Sequence, residues 1–390
     1  MRVLLIFIFT WLLLGSKAQK NTEFSRIDKI MLQIPEPMTH STKGIADYIN
    51  SNFTNQSEKA RAAFIWVASN IQYDIENMFA LNNYQNSKEL IDKVLRTRKG
   101  VCMHFAELFN EIADLVGLKT YVISGYTKQD GSIANLSHAW CAGFIDSAWY
   151  LFDPTWGSGY VQNYKYVREI NNFYFKAEPD QLIKSHMPFD PLWQFSNYPL
   201  TNQEFYEGKS PDSKNRPFFN FPDTLAAYEN ESELERLISA SRRIEKNGVK
   251  NSMISDELKS NKQEIEYHNN SIAVDTHNAA VNFYNEGIYG LNKFIDYRNK
   301  QFTPQKSENE IRKMLETTEN SLILAKDKTK EIKTPDSKIR SSMVQLGRMI
   351  DEAIVNLNEQ KAFVEKYFNT GKMFRKSLFY KHTWMGIPLN

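Results

Sequence analysis

The chain has 390 residues, of which 42% are hydrophobic, and this is room for two or three domains with sizeable cores. Its formal net charge is +2, and Arg2 and Lys17 lie in an N-terminal segment that we expect to be removed, which leaves the mature chain without net formal charge. The balance excludes a global electrostatic basis for nucleic-acid binding, so we expect no nucleic-acid partner.

Residues 1–18 have the pattern of a secretory signal peptide. Arg2 gives a positive start, residues 3–14 are an almost unbroken apolar run, and the small-residue site at 16–18 precedes Gln19. The run is too short to cross a bilayer comfortably. A retained anchor is the alternative. We expect a secreted or periplasmic protein with no stable membrane insertion after cleavage.

The segment that follows predicts four helices before the first strand. They span residues 43–50, 57–75, 87–95 and 102–116. Ser57 is a suitable N-cap for the second helix, and Gly117 is a suitable stop for the fourth. Residues 96–101, between the third and fourth helices, predict a loop.

Three β-rich stretches come next. They span residues 120–126, 137–145 and 148–152. Turn signals separate them, with Asp130-Gly131 in a polar loop at 128–135 and Asp146-Ser147 between the last two. Helices followed by an antiparallel meander predict an α+β domain.

The composition changes after about Gln203, where the chain becomes charged and helical. Residues in a 3-4 alternation, including a stripe from Ile311 to Ala325, predict an all-α bundle or coiled-coil domain, with breaks at Thr303-Pro304 and at 334–336. An aromatic run at 218–221 is a candidate for docking on the first domain. We expect a signal peptide at 1–18, an α+β domain at 19–203, a linker segment at 204–230, a helical bundle at 231–371 and a C-terminal tail at 372–390.

Cys102 is a candidate nucleophile because it opens an amphipathic helix. The partial positive charge and unpaired N–H groups at a helix start favour the thiolate over the thiol. Gly100 lets the backbone approach closely, and the Cys102 N–H is a natural first oxyanion donor. A small buried core residue is the alternative.

His138 and Asp153 are the candidate base and its orienting acid. If Asp146-Ser147 is a two-residue turn, Ile145 opposes Ala148, and Asp153 falls on the same sheet face as His138, one pair along the diagonal. An aspartate there can accept a hydrogen bond from the imidazole. A thiol, an imidazole and a carboxylate together predict acyl transfer.

The only other cysteine, Cys141, raises the possibility of a disulfide with Cys102 in an oxidising compartment. Strand alternation places Cys141 on the face opposite His138, which argues against that bond. His104 is taken as a supporting or solvent-facing residue. A metal site from these histidines, Cys102 and Asp153 lacks a compact ligand spacing. We expect no metal and no cofactor.

Four motifs stand out along this part of the chain: Gly100-Val101-Cys102, His138-Ala139-Trp140, the run 153–157 (Asp-Pro-Thr-Trp-Gly) and the run 186–194. Together they resemble the core of the transglutaminase-like superfamily, especially its kyphoscoliosis-peptidase and cytokinesis-protein branch. The resemblance covers about residues 43–194. It implies a papain-like α+β fold in which Cys102 is the nucleophile, His138 the base and Asp153 the orienting acid. Members of this superfamily include cross-linkers, peptidases and peptide N-glycanases.

These observations predict an exported thiol enzyme that acts on amide bonds of a protein or peptide substrate. Whether it is a peptidase or amidase, or a protein cross-linker, stays open. The alternative is a non-catalytic interaction module, in which the helical half of the chain binds a protein partner. The sequence does not identify a second oxyanion donor, for which Gln72 and the Tyr73 backbone are the candidates.

Overall fold

The computed structural model describes residues 24–79, 87–210, 212, 215–331 and 336–380, and the backbone of 383–384 and 387–388. The predicted signal peptide lies outside the described residues. The chain divides into two compact units, Met1–Asn261 and Lys262–Asn390. No helix within the described ranges is long and apolar enough to span a bilayer.

Helices come first in the first unit, as predicted. They are α1 (24–31), α2 (Thr42–Asn52), α3 (Gln56–Asn70), α4 (Ser87–Thr97) and α5 (Cys102–Leu115), with a 3₁₀ turn at Glu36–His40.

The second predicted helix differs from α3 at both ends. Asn55, and not Ser57, is the N-cap, and its side chain accepts a hydrogen bond from the Glu58 N–H. The helix stops at Asn70 because the next residues form β1 (Gln72–Tyr73), which pairs in parallel with β2 (Lys99–Gly100). The loop predicted at 96–101 therefore contains a short strand that leads directly into α5.

The main sheet has four antiparallel strands in the order β5-β4-β3-β8. They are β3 (Lys119–Gln129), β4 (Ser132–Ile145), β5 (Ala148–Phe152) and β8 (His186–Pro188). The polar segment 128–135 is largely strand rather than loop, with the turn confined to Asp130-Gly131. The α+β fold class is confirmed.

The turn between β4 and β5 has the predicted two-residue form. Asp146 and Ser147 adopt φ values of 50° and 67°, the positive pair that a tight hairpin needs. The register runs from Ile145 opposite Ala148 to Cys141 opposite Phe152, as predicted.

The two faces of this sheet pack against different layers. Ala139 and Cys141 face a core that includes Phe105 and Phe109 of α5. Trp140 and its neighbours on the other face join a core with residues from later in the chain. This alternation separates Cys141 from the site described below.

The remainder of the first unit surrounds the sheet with short elements. They are the hairpin β6 (Gly159–Gln162) and β7 (Lys165–Arg168), 3₁₀ turns at Asn172–Tyr174 and Pro191–Gln194, α6 (Pro179–Leu182), α7 (Asn202–Tyr206), α8 (Phe221–Asn230) and α9 (Glu233–Asn247).

Residues 204–261 pack within this first unit. Leu225 of α8 joins the core around Trp140, and Ile244 of α9 packs beside Met187. Arg243 donates to both carboxylate oxygens of the buried Asp190, with Nη2–Oδ2 at 2.7 Å. The compact units thus divide beyond the expected linker at 204–230 and the expected bundle start at 231. The domain limits given above stay predictions.

The second unit is all-α around a shared core, as expected. Its helices are the part of α10 (Ser252–Asn299) from 262 onward, α11 (Glu308–Glu331) and α12 (Ser337–Asn369), followed by a 3₁₀ segment at Lys372–Phe379 and a small ladder of β9 (Thr383–Trp384) and β10 (Ile387–Pro388). The predicted stripe on α11 is buried in full, from Ile311 to Ala325. A coiled-coil geometry stays a prediction.

Candidate active site

Cys102 is the first residue of α5 and is half-buried. The first backbone N–H groups of a helix have no intrahelical acceptor, so they are available near the thiol. The Cys102 sulfur lies 4.0 Å from the carbonyl oxygen of Ser137, the residue that precedes His138. The N-terminus of α5 therefore lies next to the strand that carries His138.

Gly100 has a different purpose from the one the sequence indicated. A Cβ at this position would lie 2.5 Å from the Cβ of His104. The missing side chain makes room for His104, whose Nδ1 accepts from the Val101 N–H at 3.2 Å. His104 is buried, and this burial lowers its pKa to about 4. It supports the start of the helix that presents Cys102 and does not face solvent.

His138 and Asp153 form a buried pair on the predicted diagonal of the β4–β5 hairpin. The His138 Nε2 lies 2.8 Å from the Asp153 Oδ2. His138 is 8% exposed and Asp153 is fully enclosed. Cys102 is the second partner of the imidazole, and its side chain contributes to raising the pKa of His138. Since Nε2 is engaged by the carboxylate, Nδ1 is the ring nitrogen available to the sulfur.

The Asp153 carboxylate has four hydrogen-bond donors around it. Its Oδ1 accepts from the backbone N–H groups of Thr155 at 2.9 Å and Trp156 at 3.0 Å. Its Oδ2 faces the Nε2 atoms of His138 at 2.8 Å and of His186 at 3.1 Å. Burial alone raises a carboxyl pKa, but the His138 charge and these hydrogen bonds hold the pKa of Asp153 below its usual range.

The same contacts act on the imidazole. Burial alone lowers the pKa of His138, but the Asp153 charge, its hydrogen bond and the Cys102 sulfur raise it above its ordinary value. The arrangement therefore stabilises a protonated imidazole beside the Asp153 carboxylate and the Cys102 sulfur, which is the electrostatic setting that thiol–imidazole catalysis uses.

Cys141 stands apart from this cluster. Both cysteines are free thiols, and the Cys141 sulfur contacts the carbonyl oxygen of Ala106 at 3.3 Å in the core. Complete burial raises the pKa of Cys141 well above its ordinary value. A bond between Cys102 and Cys141 is not formed, in agreement with the strand alternation.

His186 is a fourth buried group of the site, and sequence reasoning assigned it no role. It lies on the edge strand β8, and its Nδ1 is 2.8 Å from the Ser185 Oγ. The only signal was its place in the downstream run 186–194, because a three-residue strand has no detectable periodicity.

His138, Asp153 and His186 also satisfy the spacing of a possible metal site. Their ligand atoms lie within 4.8 Å of one another. Both Nε2 atoms, however, point to the same carboxylate oxygen at hydrogen-bond distance. This geometry fits proton sharing better than coordination, where each ligand atom points at a common central ion.

A cavity of about 690 Å³ opens beside His138. Its wall combines aromatic side chains with polar ones, among them Gln129, Asn171 and the carboxylate of Glu169. The aromatic lining consists of Tyr73, Trp156, Tyr160, Tyr166 and Tyr174. The Trp156 ring lies 5.5 Å from the His138 ring, so the cavity begins at the imidazole itself.

Comparison with known proteins gives a family match for the region that contains this site. Residues 43–154 match the model of the Transglutaminase-like superfamily, a range that includes Cys102, His138 and Asp153. Kyphoscoliosis peptidase from Homo sapiens is 33% identical over 156 residues, which cover 38% of this chain and 23% of that protein. Cytokinesis protein 3 from Schizosaccharomyces pombe is 29% identical over 185 residues, covering 45% and 20% respectively.

A crystal structure of a TGase is 21% identical, with a TM-score of 0.24 over 40% of each chain. The chain thus spans about a quarter or less of the length of the two curated relatives, 23% and 20%. The family-model match falls on the helices and strands that carry the cysteine, the histidine and the aspartate. This chain contains a domain of the transglutaminase-like superfamily at residues 43–154.

Proposed function

We propose that this protein is an exported thiol enzyme that cleaves or transfers amide bonds through an acyl-enzyme. One observation carries the proposal: a single buried imidazole, His138, contacts both the Cys102 sulfur and the Asp153 carboxylate. A thiol at a helix start, next to a histidine held by a carboxylate, is the arrangement that acyl transfer requires.

The chemistry follows from these contacts. The Cys102 thiol gives its proton to His138 and its sulfur attacks the carbonyl carbon of the amide. The Cys102 backbone N–H stabilises the resulting oxyanion. The C–N bond then breaks, and His138 returns the proton to the departing amine, which leaves a thioester on Cys102. Asp153 holds the imidazole through both steps.

The thioester is resolved by an acceptor whose proton His138 removes. Water gives a carboxylic acid and makes the protein a peptidase or amidase. A lysine amine gives a new amide and makes it a cross-linker. Hydrolysis is the default in water.

The substrate that we propose is a polypeptide. The cavity beside His138 offers aromatic surfaces that suit apolar or aromatic side chains, and its volume of about 690 Å³ holds more than a small amide. Tyr73 lines this cavity and lies near Cys102. Burial and, to a smaller extent, the neighbouring Cys102 raise the pKa of Tyr73 to about 12. A bound chain would therefore pass Tyr73 on its way to the sulfur.

Selective alkylation tests the proposal with an internal control. Native protein is treated with iodoacetamide at about pH 6 to 7, where an unactivated thiol reacts slowly, and each cysteine is followed by mass spectrometry. We expect Cys102 to react much faster than the buried Cys141. Cys102→Ala should abolish both the labelling and any amidase activity, and Cys141→Ala should leave both in place. Slow and equal labelling of the two thiols would contradict the proposal.

Export has a separate test. The N-terminal sequence of the protein recovered outside the cytoplasm should begin at Gln19. A protein found only in the cytoplasm with an intact Met1 would remove the exported part of the proposal and leave the chemistry untouched.

A non-catalytic interaction role is the second candidate. The observation in its favour is that residues 262–390 form a separate helical unit outside the family match at 43–154. The two roles differ in one experiment. A full-length Cys102→Ala protein that restores the phenotype of a deletion strain would favour the interaction role, whereas failure to restore it, at equal abundance, favours catalysis.

A further inference from the structure

His186 is bound at both ring nitrogens and is completely enclosed. Its side chain has 0% exposure. The Nε2 lies 3.1 Å from the Asp153 Oδ2, the oxygen that also contacts His138. The Nδ1 lies 2.8 Å from the Ser185 Oγ. Complete burial and a partner at each ring nitrogen, beside the candidate nucleophile, indicate a specific role for this histidine.

The edge strand β8 places this ring by register. Pro188 pairs with Gly125 of β3, and Gly125 pairs with His138 of β4, so these three residues form one row across the sheet. His186 is two residues from Pro188 and therefore shares the face of His138. The ring reaches the same oxygen of Asp153 as His138 does, and the two ring centroids are 5.5 Å apart.

Gly125 makes this approach possible. A Cβ at this position would lie 2.2 Å from the Met187 carbonyl oxygen and 2.5 Å from the Trp140 ring. Both distances are shorter than any tolerated contact, so only glycine allows β8 and the tryptophan to close around the site.

Aromatic rings fix the orientation of His186. Trp156 lies 4.6 Å away between ring centroids, and Trp140 lies 5.2 Å away with its ring plane at 85°. Burial lowers the pKa of His186, although Asp153 partly offsets this effect. A neutral imidazole has one donor and one acceptor nitrogen. Because an ionised carboxylate only accepts, the proton of the neutral ring resides on Nε2 and faces Asp153. Nδ1 is then the acceptor for the Ser185 hydroxyl, which also lies 3.3 Å from the Leu182 carbonyl oxygen.

We propose that His186 is a positioning residue, a neutral imidazole that donates its Nε2 proton to Asp153 and holds that carboxylate ionised and aligned with His138. This proposal rests on the proposed function. It makes the site a row of two imidazoles sharing one carboxylate, of which only His138 contacts the sulfur.

Loss of the His186 hydrogen bond should change the pH dependence of Cys102 alkylation at its acid end. Without the His186 donor, Asp153 keeps its other three donors, but its negative charge is less compensated and its Oδ2 is held by His138 alone. Both changes disfavour a second anion at Cys102. A hydrogen bond to a charged group changes the pKa of that group by about one to two units. Here the charged group is Asp153, which acts on Cys102 through His138. We therefore expect the acid limb of Cys102 alkylation to move to higher pH by roughly one unit.

The test compares His186→Leu with His186→Gln, whose amide nitrogen can replace Nε2 as a donor. Alkylation of Cys102 by iodoacetamide is measured between about pH 4 and 8. His186→Leu should move the acid midpoint upward by roughly one unit, a tenfold slower reaction on that limb. His186→Gln should stay within a few-fold of the unmodified protein. A folded His186→Leu protein with an unchanged midpoint would overturn the proposal.

Two further measurements keep the outcome decisive. If His186→Leu does not fold, Ser185→Ala should shift the acid midpoint of Cys102 alkylation in the same direction by a smaller amount. An unchanged midpoint in that variant would contradict the proposal. In the unmodified protein, ¹⁵N NMR of the imidazoles, assigned with His186→Gln, should show His186 as the neutral Nε2–H tautomer from pH 5 to 8. A protonated ring or an Nδ1–H tautomer would overturn the proposal, even if Cys102 proves unreactive and the proposed enzyme activity fails.

Discussion

The substitution Asp153→Asn removes one charge from the site while almost preserving its shape. Asp153 accepts from two imidazole Nε2 atoms at one oxygen and from two backbone N–H groups at the other. An asparagine has one acceptor oxygen and one NH₂ group that donates. Whichever way the amide turns, two enclosed donors lose their acceptor.

The magnitude follows from those lost acceptors. Each unpaired buried donor costs about 1–3 kcal/mol. The protein can relieve part of this cost if His138 moves its proton from Nε2 to Nδ1. That tautomer can no longer accept the proton of Cys102. We therefore expect a loss of about 2–4 kcal/mol in the free energy of unfolding and a roughly 100-fold slower alkylation of Cys102 at about pH 6.5, equivalent to about 2.7 kcal/mol.

The assay pairs a urea titration with mass-spectrometric alkylation rates. Asp130→Asn is the matched control, because Asp130 is exposed in the β3–β4 turn at φ 49°, a conformation that asparagine accepts. The control should change neither quantity. An Asp153→Asn protein whose Cys102 reacts at the unmodified rate would refute the assigned role of the carboxylate.

Three other predictions concern stability. Gly125→Ala should cost at least 2–3 kcal/mol (an order-of-magnitude figure for overpacking) and lower the melting temperature, because its Cβ would collide with the Met187 carbonyl; an unchanged melting temperature would disprove the close approach of β8. The pKa of His138 is raised to about 10, so its charge stabilises the folded state fully below about pH 6.5, and this contribution is lost as the pH rises toward 10. The free energy of unfolding of His138→Gln should not show that decline, and parallel pH profiles for the two proteins would contradict the prediction. Arg243→Met leaves the buried Asp190 unpaired and should cost about 3–5 kcal/mol in chemical denaturation, whereas a change below 1 kcal/mol would show that α9 is not anchored there.

The hairpin that carries His138 and Asp153 was predictable because its geometry is local. A two-residue turn at Asp146-Ser147 fixes the pairing of every residue on both strands. The face of Cys141 and the diagonal from His138 to Asp153 follow from that one turn. The long amphipathic helices were equally accessible, since the apolar spacing from Ile311 to Ala325 coincides with the buried face of α11.

The fourth group of the site was not predictable in the same way. His186 reaches Asp153 only because a three-residue strand joins β3 from a position far along the chain. Such long-range pairing leaves no periodic trace in the sequence. The sequence left His104 between a supporting and a solvent-facing position for a related reason, since its exposure depends on how α5 packs and not on its distance from Cys102 along the chain.

The expected linker at 204–230 shows a third kind of difficulty. Its composition is polar, yet α8 buries Leu225, and the charged helix α9 that follows is held by the Arg243–Asp190 pair and by Ile244. A few well-placed contacts dock an otherwise hydrophilic segment, and charge content alone does not reveal them. For this reason a chain shortened at Gln203 would lose contacts made by the first unit itself.

Capture of the covalent intermediate tests the central claim most directly. The full-length protein is mixed with a peptide library, quenched in acid within seconds, and analysed by intact mass and peptide mapping, with Cys102→Ala alongside. The account predicts an acyl group on Cys102 that lacks the departing amine, is released by hydroxylamine and is absent from the variant. A native, folded protein whose Cys102 reacts with iodoacetamide but accepts no acyl group from any peptide would contradict it.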